Sequence, residues 1–273
     1  GFGTDRLHAG VSKAAAEQSA VPGAANSAEQ NVLPESTEPP APEMIDFEVN
    51  RYAVTAGAAA YLGGAEEQYK ALVDAICSKK ETEPYTDEDA AKRAAEVFAE
   101  TPYSALAEVT AKDGAFQIAY TGSGDADTFD AAVKALVESC VYKDANEAEK
   151  ALSLYRTVAS EFAQEGGENG SLYKTVTEQK GSAEDLANAL TYLFVQNGIS
   201  ADRVSGMVGE SERSWTAAEL SGNRYHFDAA AEKHATDGHG LQYFGMSDSE
   251  RLESGVEGFE FSLDSAYGEV KCD

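Results

Sequence analysis

Apolar residues recur along the chain with two periods, and the change from one to the other marks out its elements. Tyr69, Leu72, Val73, Ile76 and Cys77 fall at i, i+3, i+4, i+7 and i+8, the stripe of an amphipathic helix. Thr86-Asp87-Glu88-Asp89 has the form of a helix start, and Ala90, Ala94, Val97 and Phe98 behind it share one face. The period then shortens to two. Phe116, Ile118 and Tyr120 alternate with Gln117 and Ala119 after the Asp113-Gly114 turn, which predicts a half-buried strand. Phe129, Val133, Leu136, Val137, Cys140 and Val141 restore the helical period. A second run of helices follows, with stripes at Ala148, Leu152, Tyr155, Ala159 and Phe162, and at Ala183, Leu186, Leu190, Leu193 and Phe194. Ser182, with Asp185 three residues on, predicts the cap of the latter helix, and Asn197-Gly198 its stop. Strand-like segments close the pattern at 202–208, 215–220 and 224–228, the last two joined by Ser221-Gly222-Asn223. Helices followed by an antiparallel meander predict an α+β chain.

Residues 1–45 carry five of the seven prolines in an Ala/Ser/Glu/Gln background and read as a flexible tether. Residues 46–142 then form a small α+β domain and 143–273 a second one. The chain has 273 residues and a formal charge of −27, which disfavours nucleic acid and anionic lipid as partners. Direct membrane insertion is not expected, since no apolar stretch reaches the length of a span. Cys77 and Cys140 sit on helical stripes, where a free thiol packs as a small hydrophobe; Cys272 lies at the end of the chain.

Several weak motifs occur in order in the second block. Gly181-Ser182-Ala183-Glu184-Asp185-Leu186-Ala187 leads to Asn197-Gly198-Ile199. Val204-Ser205-Gly206, Arg213-Ser214-Trp215-Thr216 and Gly222-Asn223-Arg224-Tyr225-His226-Phe227-Asp228 follow, with Tyr243-Phe244-Gly245-Met246-Ser247-Asp248 beyond them. Over residues 144–250 this order resembles the transglutaminase-like, papain-like domains common in secreted proteins of Gram-positive bacteria. The resemblance implies a helix-plus-antiparallel-sheet domain preceded by the smaller α+β domain. It also implies a catalytic cysteine opening the helix, a histidine on one strand and an aspartate on the next.

At those stations the chain has Ala183, Arg213 and Asp228. Alanine has no nucleophilic atom, and arginine stays protonated and cannot serve as a base. An engineered Cys→Ala change accounts for Ala183 alone, so the pair of substitutions reads as a natural loss of the triad. The expectation is therefore a non-catalytic cell-surface protein that binds a peptide-like, protein or cell-wall ligand through a remnant cleft and needs no cofactor. The location implied is extracellular, with a lipid anchor upstream of the chain. Two alternatives stand beside this: an active hydrolase or transferase using Ser182, and a purely structural or adhesive module.

Ser182, Trp215, Tyr225 and His226 are the candidate binding residues. Trp215 and Tyr225 read equally as core, and His226 reads as a surface histidine or as half of a His-Asp pair with Asp228, two positions away on one strand. Arg213 and Asp228 are expected to form an ion pair where the His-Asp pair of the family stands. Glu232, His234, Asp237 and His239 offer metal-ligand chemistry without a zinc spacing, and Asp125, Asp127 and Asp130 lack the glycine and the twelfth-position glutamate of a calcium loop. The first group reads as a polar loop, and in the second Asp127 or Thr128 reads as a helix cap.

Overall fold

The computed structural model describes residues 38–256 and 258–261. The tether expected over residues 1–45 falls mostly outside them, as does Cys272. The fold is α+β. The first block holds α1 (Ala56–Leu62), α2 (Glu66–Cys77), α3 (Glu88–Phe98) and α4 (Ala126–Cys140) with an antiparallel sheet of β1 (Thr82–Pro84), β2 (Ala107–Lys112) and β3 (Ala115–Tyr120), ordered β1-β3-β2. The second block opens with α5 (Glu147–Glu161). A short parallel pair, β4 (Ala163–Gln164) and β5 (Lys180–Gly181), flanks α6 (Leu172–Glu178) and leads into α7 (Ala183–Gln196).

Past α7 the chain builds its main sheet from β6 (Ala201–Val208), β7 (Ser211–Leu220), β8 (Asn223–Phe227), β9 (Phe244–Met246) and β10 (Phe259–Phe261). The order is β10-β6-β7-β8-β9, every pairing antiparallel. Two further helices, α8 (Ala229–Thr236) and α9 (Asp248–Glu253), flank β9 in sequence.

Local chemistry sets the helix starts. Among the described residues every α-helix except α2 begins on a side-chain cap, from Thr55 of α1 to Ser247 of α9, so one first-turn amide of each has a partner within the chain. Two caps fall one to three residues from their expected places. Asp87 caps α3 in place of Thr86, and Asp125 caps α4 by accepting from the Thr128 amide at 2.7 Å. Asp127, one of the two residues expected to cap it, instead pairs with Arg51 at 2.7 Å.

Alternation along the strands gives the main sheet two buried faces. Arg203, Thr216, Phe227 and Phe244 lie in one row across β6 to β9 and face α7. There Phe227 stacks edge-on against Phe194 of α7, Phe244 and Tyr155 of α5, with centroids 5.3, 5.0 and 6.4 Å away. Burial of each such ring stabilises by about 1.5–3 kcal/mol. A bulge at Gly245, whose φ of 69° suits glycine, lets Phe244 and Met246 point to opposite faces.

Residue 142 falls in the short connection between α4 and α5, and buried side chains continue across it from Phe47 to Phe244. Asn50 and Gln196 exchange hydrogen bonds of 3.0 and 2.8 Å, and the Gly57 amide donates to Asp202 Oδ1 at 2.7 Å. Asp202 is itself buried against Arg224, 2.7 Å away. Among the described residues no helix is long and apolar enough to cross a membrane.

Candidate functional site

The first candidate site is the start of α7. Ser182 caps the helix as its sequence predicts: its Oγ accepts from the Asp185 amide at 3.1 Å, and Asp185 Oδ2 accepts from the Ser182 amide at 2.9 Å. The same Asp185 oxygen accepts from the Gly170 amide at 2.8 Å. The Ser182 hydroxyl donates to Asn169 Oδ1 at 2.7 Å, so its proton is committed to the loop beside the helix. A Cβ at Gly181 would stand 2.6 Å from the Asp185 Cβ, which explains glycine there. Ala183 is the first helical residue.

Strand parity decides which partners Ala183 can meet. Thr216 Oγ1 lies 2.8 Å from Thr191 Oγ1 and 3.3 Å from the Ala187 carbonyl, so Thr216 points to α7. Ser214, two residues earlier, shares that face; Arg213 and Trp215 take the other. The expected stations are therefore split: Ala183 lies on the helix side of the sheet and Arg213 on the far side, where its side chain is exposed. Arg213 is not the ion-pair partner of Asp228. That role belongs to Arg251 of α9, whose Nη2 donates to Asp228 Oδ2 at 2.5 Å.

The far face carries a buried polar cluster. Trp215 Nε1–H donates to His226 Nδ1 at 2.9 Å, and His226 Nε2 lies 2.7 Å from Asp248 Oδ1. With Nδ1 accepting, the ring proton sits on Nε2 and is donated to Asp248. The Arg251 guanidinium lies 4.2 Å from the Trp215 ring centroid, inside cation–π range. Asp228 also caps α8, accepting from the Ala231 amide at 3.0 Å. His226 and Trp215 are 0% exposed and Arg251 3%, so His226 is not the surface histidine its sequence suggests.

Burial shapes the acid–base character of this cluster. It holds His226 below the usual histidine value, with the Asp248 bond pulling the other way. It raises the Asp228 carboxyl, against which Arg251 and the Ala231 amide act. Tyr225 faces the α7 side and is buried in the main core. Of the four candidate binding residues, then, three are interior and Ser182 is engaged in capping.

Other candidate groups have structural partners. The buried Glu232 carboxylate accepts from Tyr155 Oη at 2.7 Å, Thr236 Oγ1 at 2.8 Å and the Tyr243 amide at 3.0 Å. Among the described residues no three His, Cys, Asp or Glu side chains converge as a metal site. Cys77 and Cys140 are free, half-buried thiols, and burial pushes the Cys77 thiol up to about 11.

A cleft of about 270 Å³ lies elsewhere, between the first block and the flank of α7. Its walls come from residues 50–58, 97–104, 170–172 and 188–203. Neither Ser182 nor Ala183 lines it. No local pattern announces it, because its walls meet only through the packing of the two blocks; the nearest signal is the polar stretch Asn50-Arg51 ahead of α1.

No family model matches the chain, and no curated protein is similar to it. Among solved structures, a protein from Cytophaga hutchinsonii provisionally assigned as a cysteine protease is similar at a TM-score of 0.34 and 16% identity. That match covers 52% of this chain and 44% of the other, so it spans less than half of that protein's length.

Proposed function

We propose that this is a non-catalytic binding protein of the cell surface, a degenerate relative of transglutaminase-like domains, which holds a short peptide-like segment in the cleft beside α7. What supports the reading is the separation of the would-be catalytic stations: Ala183 and Arg213 lie on opposite sides of the sheet, and among the described residues the Ser182 hydroxyl is held by Asn169 and meets no base. The substituted-nucleophile alternative needs a histidine near Ser182, and His226 is spent on Trp215 and Asp248 across the sheet. The cleft's lining combines hydrogen-bonding side chains with the apolar Val97, Leu172 and Val195, a combination suited to a backbone with small side chains.

The test is a titration of isotope-labelled protein with short acetylated peptides and with stem peptides of bacterial cell wall, followed by NMR, alongside assays for amide hydrolysis and amine transfer. Resonances from residues 50–58, 97–104 and 188–203 are expected to shift without turnover. Turnover that disappears in Ser182→Ala would overturn the reading.

A further inference from the structure

The sheet of the first block ends in an edge whose backbone is unused. In the order β1-β3-β2, the inner strand β3 turns alternate main-chain groups to its two neighbours. The Ile118 amide donates to the Glu81 carbonyl beside β1 at 2.9 Å, and the Thr121 amide donates to the Leu106 carbonyl, on the other side, at 2.9 Å. Ile118 stands opposite Val109, and Phe116 opposite Ala111. The even-numbered residues of β2 therefore bond β3, and the N–H and C=O groups of Val109 and Ala111 point away from the sheet. Among the described residues no hydrogen bond reaches those outward groups. The opposite edge, β1, is blunted by Pro84, whereas β2 has neither a proline nor a bulge.

The side chains along β2 are self-complementary. Glu108, Thr110 and Lys112 share the exposed face of the strand, while Val109 and Ala111 are half-buried on the other. Glu108 and Lys112 stand about 13 Å apart along the strand, too far to neutralise one another. Neither has an ion-pair partner among the described residues. A second copy of β2 laid antiparallel against this edge, with the two-fold axis at Thr110, sets each Glu108 opposite the Lys112 of the other copy and Thr110 opposite Thr110. In the same register Val109 faces Ala111, so the outward main-chain groups meet as hydrogen-bonded pairs on both sides of the axis. Sliding one strand by two residues opposes each charge to an uncharged residue, and sliding it by four opposes like charges. Charge and backbone direction thus select one register.

We propose that β2 is a homodimerisation edge, at which two copies of the chain pair about a two-fold axis through Thr110 and join their sheets into one. The assembly closes at two copies, because each edge is used once. Although each copy carries −27, charges beyond a Debye length of roughly 8 Å are screened at physiological salt, while the Glu108–Lys112 pairs act at contact. So short an edge lies at the low end of interface size, which sets a dissociation constant on the order of 100 µM. The cleft beside α7 takes no part, so this dimer and the peptide-binding reading stand or fall separately.

The experiment is sedimentation velocity of the whole chain at physiological salt, from about 10 µM to about 1 mM. The unmodified chain is expected to pass from monomer to dimer over that range, and hydrogen exchange at the Val109 and Ala111 amides to slow as it does. Glu108→Lys and Lys112→Glu each set like charges across the axis and are expected to weaken dimerisation at least about tenfold. Mixed in equal amounts, the two variants present opposite charges to one another and are expected to form a heterodimer at least as strong as the original dimer. A folding defect would not be repaired by mixing, so that result isolates edge pairing. A chain that stays monomeric at the top of the range overturns the proposal. It is equally overturned by a dimer that both variants form as readily as the original, or by variants that fail to associate when mixed.

Discussion

The indole N–H of Trp215 donates to Nδ1 of His226 across 2.9 Å, deep beneath α9 and out of contact with water. One bond thus fixes the ring's tautomer and makes the imidazolium form costly, since a second proton would need the nitrogen that the indole occupies.

Stability should therefore fall with acid before the carboxylates titrate. The unfolded chain protonates His226 near the usual value of about 6.5, whereas the folded state resists because its value is held lower. Below pH about 6.5 the unfolded state binds the extra proton, and stability drops by up to about 1.4 kcal/mol per pH unit until the folded-state value is reached. Thermal melts between pH 7.5 and 5 measure this, and the slope should flatten in His226→Gln.

Asp228→Ala should cost about 3–5 kcal/mol, because it strands the buried Arg251 and removes the cap of α8 together. Combining it with Arg251→Leu should cost less than the two single changes summed. Urea denaturation of the four proteins in that cycle gives the coupling energy, and additive losses would contradict a direct ion pair.

Placing a cysteine and a histidine at the stations the resemblance assigns should not create a dyad. Ala183→Cys places a thiol in the first turn of α7, where the helix dipole favours the thiolate. Adding Arg213→His puts an imidazole on the opposite face of the sheet. The pH profile of iodoacetamide labelling should be the same with and without that histidine; a downward shift on adding it would show that the two positions meet.

Gly181→Ala should destabilise by about 1–3 kcal/mol, since the new methyl group meets Asp185 and disturbs the bonds from the Ser182 and Gly170 amides. Hydrogen exchange at those two amides should accelerate ahead of the rest of α7.

Much of the architecture is legible in the sequence where large apolar residues keep time. The stripes of α2, α4, α5 and α7 give their helices to within a few residues, and Phe116, Ile118 and Tyr120 give β3. Elements without such residues are silent. The alanine-rich α1, the Ala-Glu-Val-Thr-Ala-Lys of β2, and the short α8 and α9 owe their form to caps and to packing between distant segments. The start of β7 is missed for the same reason: Ser211, Glu212 and Arg213 are exposed and polar, and only their pairing with β6 makes them a strand.

The candidate site was readable only in part. Ser182 as a cap follows from local spacing, whereas His226 looks polar and exposed until Asp248 and Arg251, more than twenty residues on, fold over it. The matched stations of the resemblance also joined Arg213 to Asp228, but the strand's period of two and the arrival of α9 give Asp228 a different partner.

Asp228 serves two elements, closing the first turn of α8 and neutralising the guanidinium of α9. An aspartate at this position is thus required by the architecture whatever chemistry takes place nearby. Its presence is therefore accounted for by the folding of two helices, and says nothing for or against chemistry at the start of α7.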